Sequence, residues 1–259
     1  MAGIVQFPWT RQPQGPIPTN RGNPLSQGLL YQATPNNLVA NQGSLVGAVT
    51  TQPAVNGITY KSPGAGAYVS FPFPPSWAAA SHAFTVSMIA RFIGTPSLLN
   101  MWNLNHGTGV NNQVAICYWD SVASARYMLM QTGGGAASAG NSTILASNPD
   151  VTLWHHWHMT WDGITARGKI YCDGIDLSAN GAVGLTPIYN NKFDIGRGSG
   201  GLEGPHEFAG AWLWDRQLST TEVLSHYAAP WQLFAPLARR LWAPAVAGVA
   251  DTLFAQACL

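Results

Sequence analysis

Charged side chains are scarce in this 259-residue chain: 12 basic and 11 acidic residues make up 9% of it, against roughly 25% in an average globular domain. The basic residues form no cluster and the formal net charge is +1, so the sequence carries no electrostatic footprint for nucleic acid. No Asp or Glu precedes Asp120, and the stretch before it holds only Arg11, Arg21, Lys61 and Arg91. That half could meet an acidic partner without like-charge repulsion; a chance shortage in a charge-poor protein is the other reading. Cysteine is equally sparse. Cys117, Cys172 and Cys258 are odd in number and widely spaced, which excludes a paired disulfide framework and any CxxC zinc signature. Cys117 and Cys172 fall in strand-like runs and read as small buried hydrophobes. Long apolar runs are missing too: no stretch of about 18 uncharged apolar residues is free of proline, so no membrane-spanning helix is expected. The N-terminus has no basic segment leading into an apolar run and does not read as a signal peptide. With Met1 in place, synthesis in a cytoplasm without proteolytic maturation is the expectation.

Catalytic signatures are lacking as well. Glycoside cleavage needs two carboxylates across the scissile bond, and the only glutamates are Glu203, Glu207 and Glu222. Glu203 and Glu207 flank "GPH" and read as solvated loop residues. No GxSxG or HExxH occurs, and the glycine-rich "TGGGAASAG" (132–140) lacks a basic partner for phosphate. The expectation is a protein that is not an enzyme.

What the chain does contain is proline, glycine, tryptophan and short apolar runs. Pro8, Pro13, Pro16, Pro18 and Pro24 exclude a helix or central strand over residues 1–30 and suggest an extended arm. Beyond it, runs at 67–73, 83–93, 98–104, 112–119, 125–132, 155–161, 168–174, 193–198 and 208–216 are bounded by Gly, Asn, Ser or Pro. This spacing predicts an all-β, two-sheet antiparallel sandwich or jelly roll. One helix is predicted over 218–230, with Ser219 and Glu222 at capping-box spacing and Pro230 past its end. The tail 231–259 is apolar except for acidic Asp251 and the pair Arg239 and Arg240. Left bare it would aggregate, so it must pack on its own domain or on a partner, and its scarcity of charge favours a partner interface.

The densest cluster is "WHHWHMTWDG" (154–163). Strand alternation places Trp157, Met159 and Trp161 on one face and Trp154, His156, His158 and Thr160 on the other. His156 and His158 could share a zinc ion only if further ligands such as His206 and His226 converged from distant loops. The blander reading is histidines that hydrogen-bond a neighbouring strand. Sugar contact is a third. Of eleven tryptophans, Trp102, Trp119, Trp157, Trp161, Trp212 and Trp214 lie in apolar strands, while Trp9, Trp77, Trp231 and Trp242 lie in arms or proline-rich segments. Aromatic rings at such sites either stack on sugars or anchor a neighbouring subunit. Trp77, His156, His158 and His206 are the candidate ligand-binding set. Phe7, Trp9, Arg11, Trp231, Phe234, Arg239, Arg240 and Trp242 are the candidate assembly contacts.

Trp154, His155, His156, Asp162, Gly163, Tyr171, Asp173, Gly174, Ile195, Gly196, Arg216, Leu218 and Ser219 match, in order and approximate spacing, a Trp-His-His strand, an Asp-Gly turn, a Tyr-x-Asp-Gly hairpin, an Ile-Gly and an Arg-x-Leu-Ser helix start. In this the chain resembles the laminin-G-like, concanavalin-A-type jelly-roll family. The resemblance implies a lectin-like sandwich over residues 31–230 between an N-terminal arm (1–30) and a C-terminal tail (231–259). It implies no obligate cofactor, though relatives hold calcium at one rim, where Asp162 or Asp194 would contribute. Gly210 stands where relatives often carry an acid in the last core strand. The flanks "FPWTRQPQGPIPTNRGNPLSQGLLYQATP" and "PWQLFAP" resemble tailed-bacteriophage proteins. They imply a structural virion component in the capsid or tail, with other virion subunits, further copies of itself or glycans as partners.

Overall fold

A computed structural model describes residues 12, 18–35, 43–54, 57–64, 66–72, 83–94, 98–105, 113–120, 127–132, 143–145, 149–162, 168–181, 192–197 and 205–234. In chain order the strands are β1 (Leu29–Ala33), β2 (Ser44–Val46), β3 (Thr50–Ala54), β4 (Gly57–Ser62), β5 (Tyr68–Pro72), β6 (Phe84–Phe92), β7 (Leu98–Asn105) and β8 (Gln113–Asp120). They continue as β9 (Tyr127–Thr132), β10 (Thr143–Leu145), β11 (His155–Trp161), β12 (Gly168–Cys172), β13 (Ile175–Asp176), β14 (Ser178–Gly181), β15 (Lys192–Ile195) and β16 (His206–Trp214), followed by helix α1 (Thr220–Ala228). An eight-stranded sheet runs β13-β12-β11-β6-β16-β4-β3, with β1 also paired to β16. A six-stranded sheet runs β2-β5-β15-β7-β8-β9, and β10 pairs with β14. Every pairing is antiparallel, which gives the expected two-sheet sandwich.

Alternation along β11 fixes which face meets the core. Trp157 stands opposite Met88 and Cys172, Met159 opposite Val86 and Ile170, and Trp161 opposite Phe84 and Gly168. All three join the main apolar cluster with Trp102, Phe71 and Phe193 from the other sheet. Burying a side chain of this size stabilises by about 1.5–3 kcal/mol, so this stripe is the sandwich's principal support. The following hairpin turns at Asp173 and Gly174, whose φ values of 52° and 79° are those of the two-residue turn that an Asp-Gly pair favours.

A second apolar cluster sits on the outer face of the eight-stranded sheet. Ile89, Tyr171, Trp212 and Trp214 form its floor, and Leu218, Val223, Trp231, Leu233, Phe234 and Leu25 cover it. Helix α1 starts as expected: the Ser219 hydroxyl accepts from the Glu222 N–H, and the Glu222 carboxylate accepts from the Ser219 N–H. Pro230 opens a 3-10 turn, Pro230–Leu233, that folds the chain back over the sheet.

The flanks close on the sandwich itself. Thr19 bridges Phe234 in antiparallel fashion, the Asn20 N–H donates to the Leu233 carbonyl, and the Trp214 indole donates to the Leu25 carbonyl. Gln12 is buried: its amide donates to the Ala209 carbonyl and its carbonyl accepts from the Ile58 N–H. The expected boundaries at residues 30 and 231 are therefore corrected over the described part of the flanks, because residues 18–28 and 231–234 belong to the folded body. Trp231 and Phe234, expected to face a partner, are only 7% and 5% exposed, packed on Trp212 and on each other. The reason is local: a 3-10 turn after α1 brings both rings onto an apolar floor that needs a cover. Among the described residues no helix is long and apolar enough to cross a membrane.

Candidate functional site

The outer face of the eight-stranded sheet carries two of the histidines that the sequence singles out, His156 and His158. In register, Arg91, Ile89, Ser87 and Thr85 of β6 lie between His156, His158 and Thr160 of β11 on one side and Glu207, Trp212 and Trp214 of β16 on the other. Helix α1 covers one half of this face. The Leu218 N–H donates to the Thr85 hydroxyl, and the His226 ring meets Trp212 and Trp214 edge-on at 4.7 and 5.2 Å.

Beneath the helix three imidazoles converge. His158 Nε2 is 2.9 Å from His226 Nδ1, and the Ser87 hydroxyl lies 2.8 Å from His156 Nε2 and 3.4 Å from His226 Nδ1. All three rings are fully buried. Burial, reinforced by the neighbouring imidazoles, holds His156 and His158 well below the ordinary histidine range, and burial pushes His226 down to about 3 against a partial offset from the Pro230 carbonyl. His155 behaves oppositely. Burial lowers its pKa, but the Asp173 carboxylate at 2.7 Å outweighs that and raises it overall. Asp173 also accepts from the His156 N–H and so clamps the start of β11 to the hairpin.

The other half of the face is open. The Arg91 guanidinium lies 5.2 Å from the centroid of the half-buried Trp154 ring. It pairs with Glu207 at 2.8 Å, and the Gln52 amide donates to the other Glu207 oxygen at 2.5 Å. Glu207 is 3% exposed, which corrects the expectation of a solvated loop carboxylate. Strand β16 begins at His206, ahead of the apolar run, and draws Glu207 into register with Arg91.

The sequence-derived site residues separate in space. His156 and His158 lie together but are shut under α1, so contact with a sugar is excluded for them as the chain is folded. His206 is on the opposite face of the sheet: it is buried near the core, stacked 6.1 Å from Phe208 and packed on Gly196, where a Cβ would approach its ring to 1.9 Å. His226 reaches the His156–His158 pair from α1, inside the segment predicted helical. Asp194 is fully buried on β15, accepts from the Ser70 hydroxyl at 2.5 Å and pairs with Arg197 at 3.0 Å, so its carboxylate is engaged inside the sheet and not at a rim. Asp162 is half-buried just after β11, and neither aspartate belongs to a ligand cluster among the described residues. Gly210 is explained by its neighbour: a Cβ there would lie 2.6 Å from the Trp212 ring, so a larger side chain would require this indole to move. Trp77, Phe7, Trp9, Arg11, Arg239, Arg240 and Trp242 lie outside the described residues.

Sheet order, layer packing and the capped helix define a two-sheet antiparallel β-sandwich. No protein-family model and no curated protein matches the sequence. Among solved structures, the chain is similar to the binding domain of Paraclostridial Mosquitocidal Protein 1, with TM-score 0.60 and 12% identity over 77% of this chain and 52% of that one. It is similar to the Trypanosoma rangeli sialidase in complex with the inhibitor DANA, with TM-score 0.53 and 15% identity over 71% of this chain and 29% of that one. It also resembles botulinum neurotoxin type C, a structure whose description ties cell entry to two ganglioside molecules, with TM-score 0.52 and 12% identity over 71% of this chain and 45% of that one. The chain thus spans about half the length of the first of these proteins and less of the other two, and the likeness concerns the fold.

Proposed function

We propose that this chain is a non-catalytic, lectin-like binding domain whose partner is carbohydrate, and that Trp154 and Arg91 meet the ligand. The observation that carries the reading is the open half of the outer face, where an indole, a guanidinium, a carboxylate and an amide lie side by side. Sugar rings stack their apolar faces on indoles while charged and amide groups take the hydroxyls. The structural likeness to a neurotoxin whose cell entry depends on gangliosides supports the same class of partner. Glu207, the carboxylate nearest this surface, is held on both oxygens by Arg91 and Gln52, which favours binding over cleavage.

A glycan array with neutral and sialylated members, followed by calorimetry on the hits, tests this. Saturable binding is expected, with Trp154→Ala weakening it at least ~10-fold, the effect of losing one stacking contact of about 1.5 kcal/mol. A folded protein that binds nothing on the array, or a Trp154→Ala variant that binds as before, overturns the reading.

The flanking sequences favour a second, compatible statement: the domain is carried on a tailed-phage virion, as an adhesion or decoration component. Mass spectrometry of gradient-purified particles should find the chain at stoichiometric level with structural subunits. Its absence from intact particles removes the virion assignment and leaves the glycan reading standing.

A further inference from the structure

His156 and His158 project from one face of β11, two residues apart, and His226 descends onto them from α1. Each offers one ring nitrogen, and the three lie within 4.8 Å of one another. Ser87, from the adjacent strand β6, puts its hydroxyl 2.8 Å from one of these nitrogens and 3.4 Å from another. We propose that His156, His158 and His226, with the Ser87 hydroxyl at the remaining corner, form a structural zinc site that fastens helix α1 to the eight-stranded sheet.

The geometry of the donor atoms supports the assignment. Tetrahedral zinc with Zn–N bonds of about 2.0–2.1 Å needs donor nitrogens about 3.3 Å apart. The closest pair here, at 2.9 Å, reaches that spacing by a small ring rotation. The Ser87 hydroxyl, on the neighbouring strand, lies within reach of the same cluster. A divalent ion satisfies all three rings at once, in a cluster closed by Trp212, Trp214 and Tyr227. Because the site is fully buried, the ion enters as the chain folds, and its binding free energy becomes folding free energy.

The inference is independent of glycan binding. The test is to unfold the full chain in urea with EDTA, remove the chelator, and refold with or without zinc chloride. Refolding with zinc should give one tightly held zinc per chain by plasma mass spectrometry and a higher thermal midpoint than the metal-free protein. His158→Gln and His226→Gln should each weaken zinc binding by more than ~100-fold, beyond the 10–100-fold lost when only an outer partner of a ligand is removed. Should either variant fail to fold, cobalt in the wild-type chain decides. Intense visible absorption marks a four-coordinate site and supports the assignment, and the faint spectrum of hexaaquo cobalt overturns it. Wild-type protein that refolds without retaining zinc, or variants that retain it unchanged, also overturns it.

Discussion

Trp157→Ala is expected to lower the stability of this protein by about 3–5 kcal/mol, the range for truncating a fully buried tryptophan. Trp157 is 1% exposed, stands between Met88 and Cys172 in register, and lines the same interior space as Met101, Val151 and His206. The indole spans the gap between the two sheets, and sheets locked by antiparallel ladders on both sides of β11 cannot close over the void. The loss therefore combines the transfer term with a cavity term that relaxes little. Urea denaturation should show a lower midpoint with an unchanged slope. A loss under about 1 kcal/mol would place Trp157 outside the load of the core.

The second large effect is expected at Arg197. Its guanidinium holds the fully buried Asp194 carboxylate at 3.0 Å, lies 4.8 Å from the Tyr68 ring centroid, and is 25% exposed. Arg197→Met keeps the aliphatic stem and removes the charge, leaving a buried carboxylate with the Ser70 hydroxyl as its remaining partner among the contacts described above. Breaking a buried pair from one side costs about 3–5 kcal/mol, and partial solvent access to Arg197 puts the expectation near the lower end, at about 3 kcal/mol. Asp194→Asn in the same background removes the stranded charge and should recover most of the loss. A coupling free energy near zero across the wild type, both single variants and the double variant would show that the pair contributes nothing.

These two residues also mark what the sequence reveals. Trp157 is legible because strand alternation alone assigns it, together with Met159 and Trp161, to one face. The capping box at Ser219 and Glu222 and the Asp173–Gly174 turn are legible for the same reason: each is a local rule with a local cause. Asp194 is not. Its neighbours in space are Ser70 and Arg197, and nothing in "FDIGRG" says that the acid is buried while its partner is half out. Glu207 is no more legible: Gly204 and Pro205 suggest a loop, whereas the strand begins one residue later. Gln12 carries no periodic signal, yet it is buried because one amide can satisfy two backbone groups of β16 and β4. His226 is the instructive case. On the helix it is one residue of a polar-apolar mixture, and only the docking of α1 brings it to the pair on β11. Convergence of ligands from separate elements is a tertiary event, and no spacing rule encodes it.

The bridge between Thr19 and Phe234 has a mechanical side. It pins the first described strand-like segment to the end of the last 3-10 turn, so pulling the two segments apart would load that pairing and the few hydrogen bonds beside it one after another, as a zip opens. Gln12, held to Ala209 and Ile58, is a second clip on the same flank.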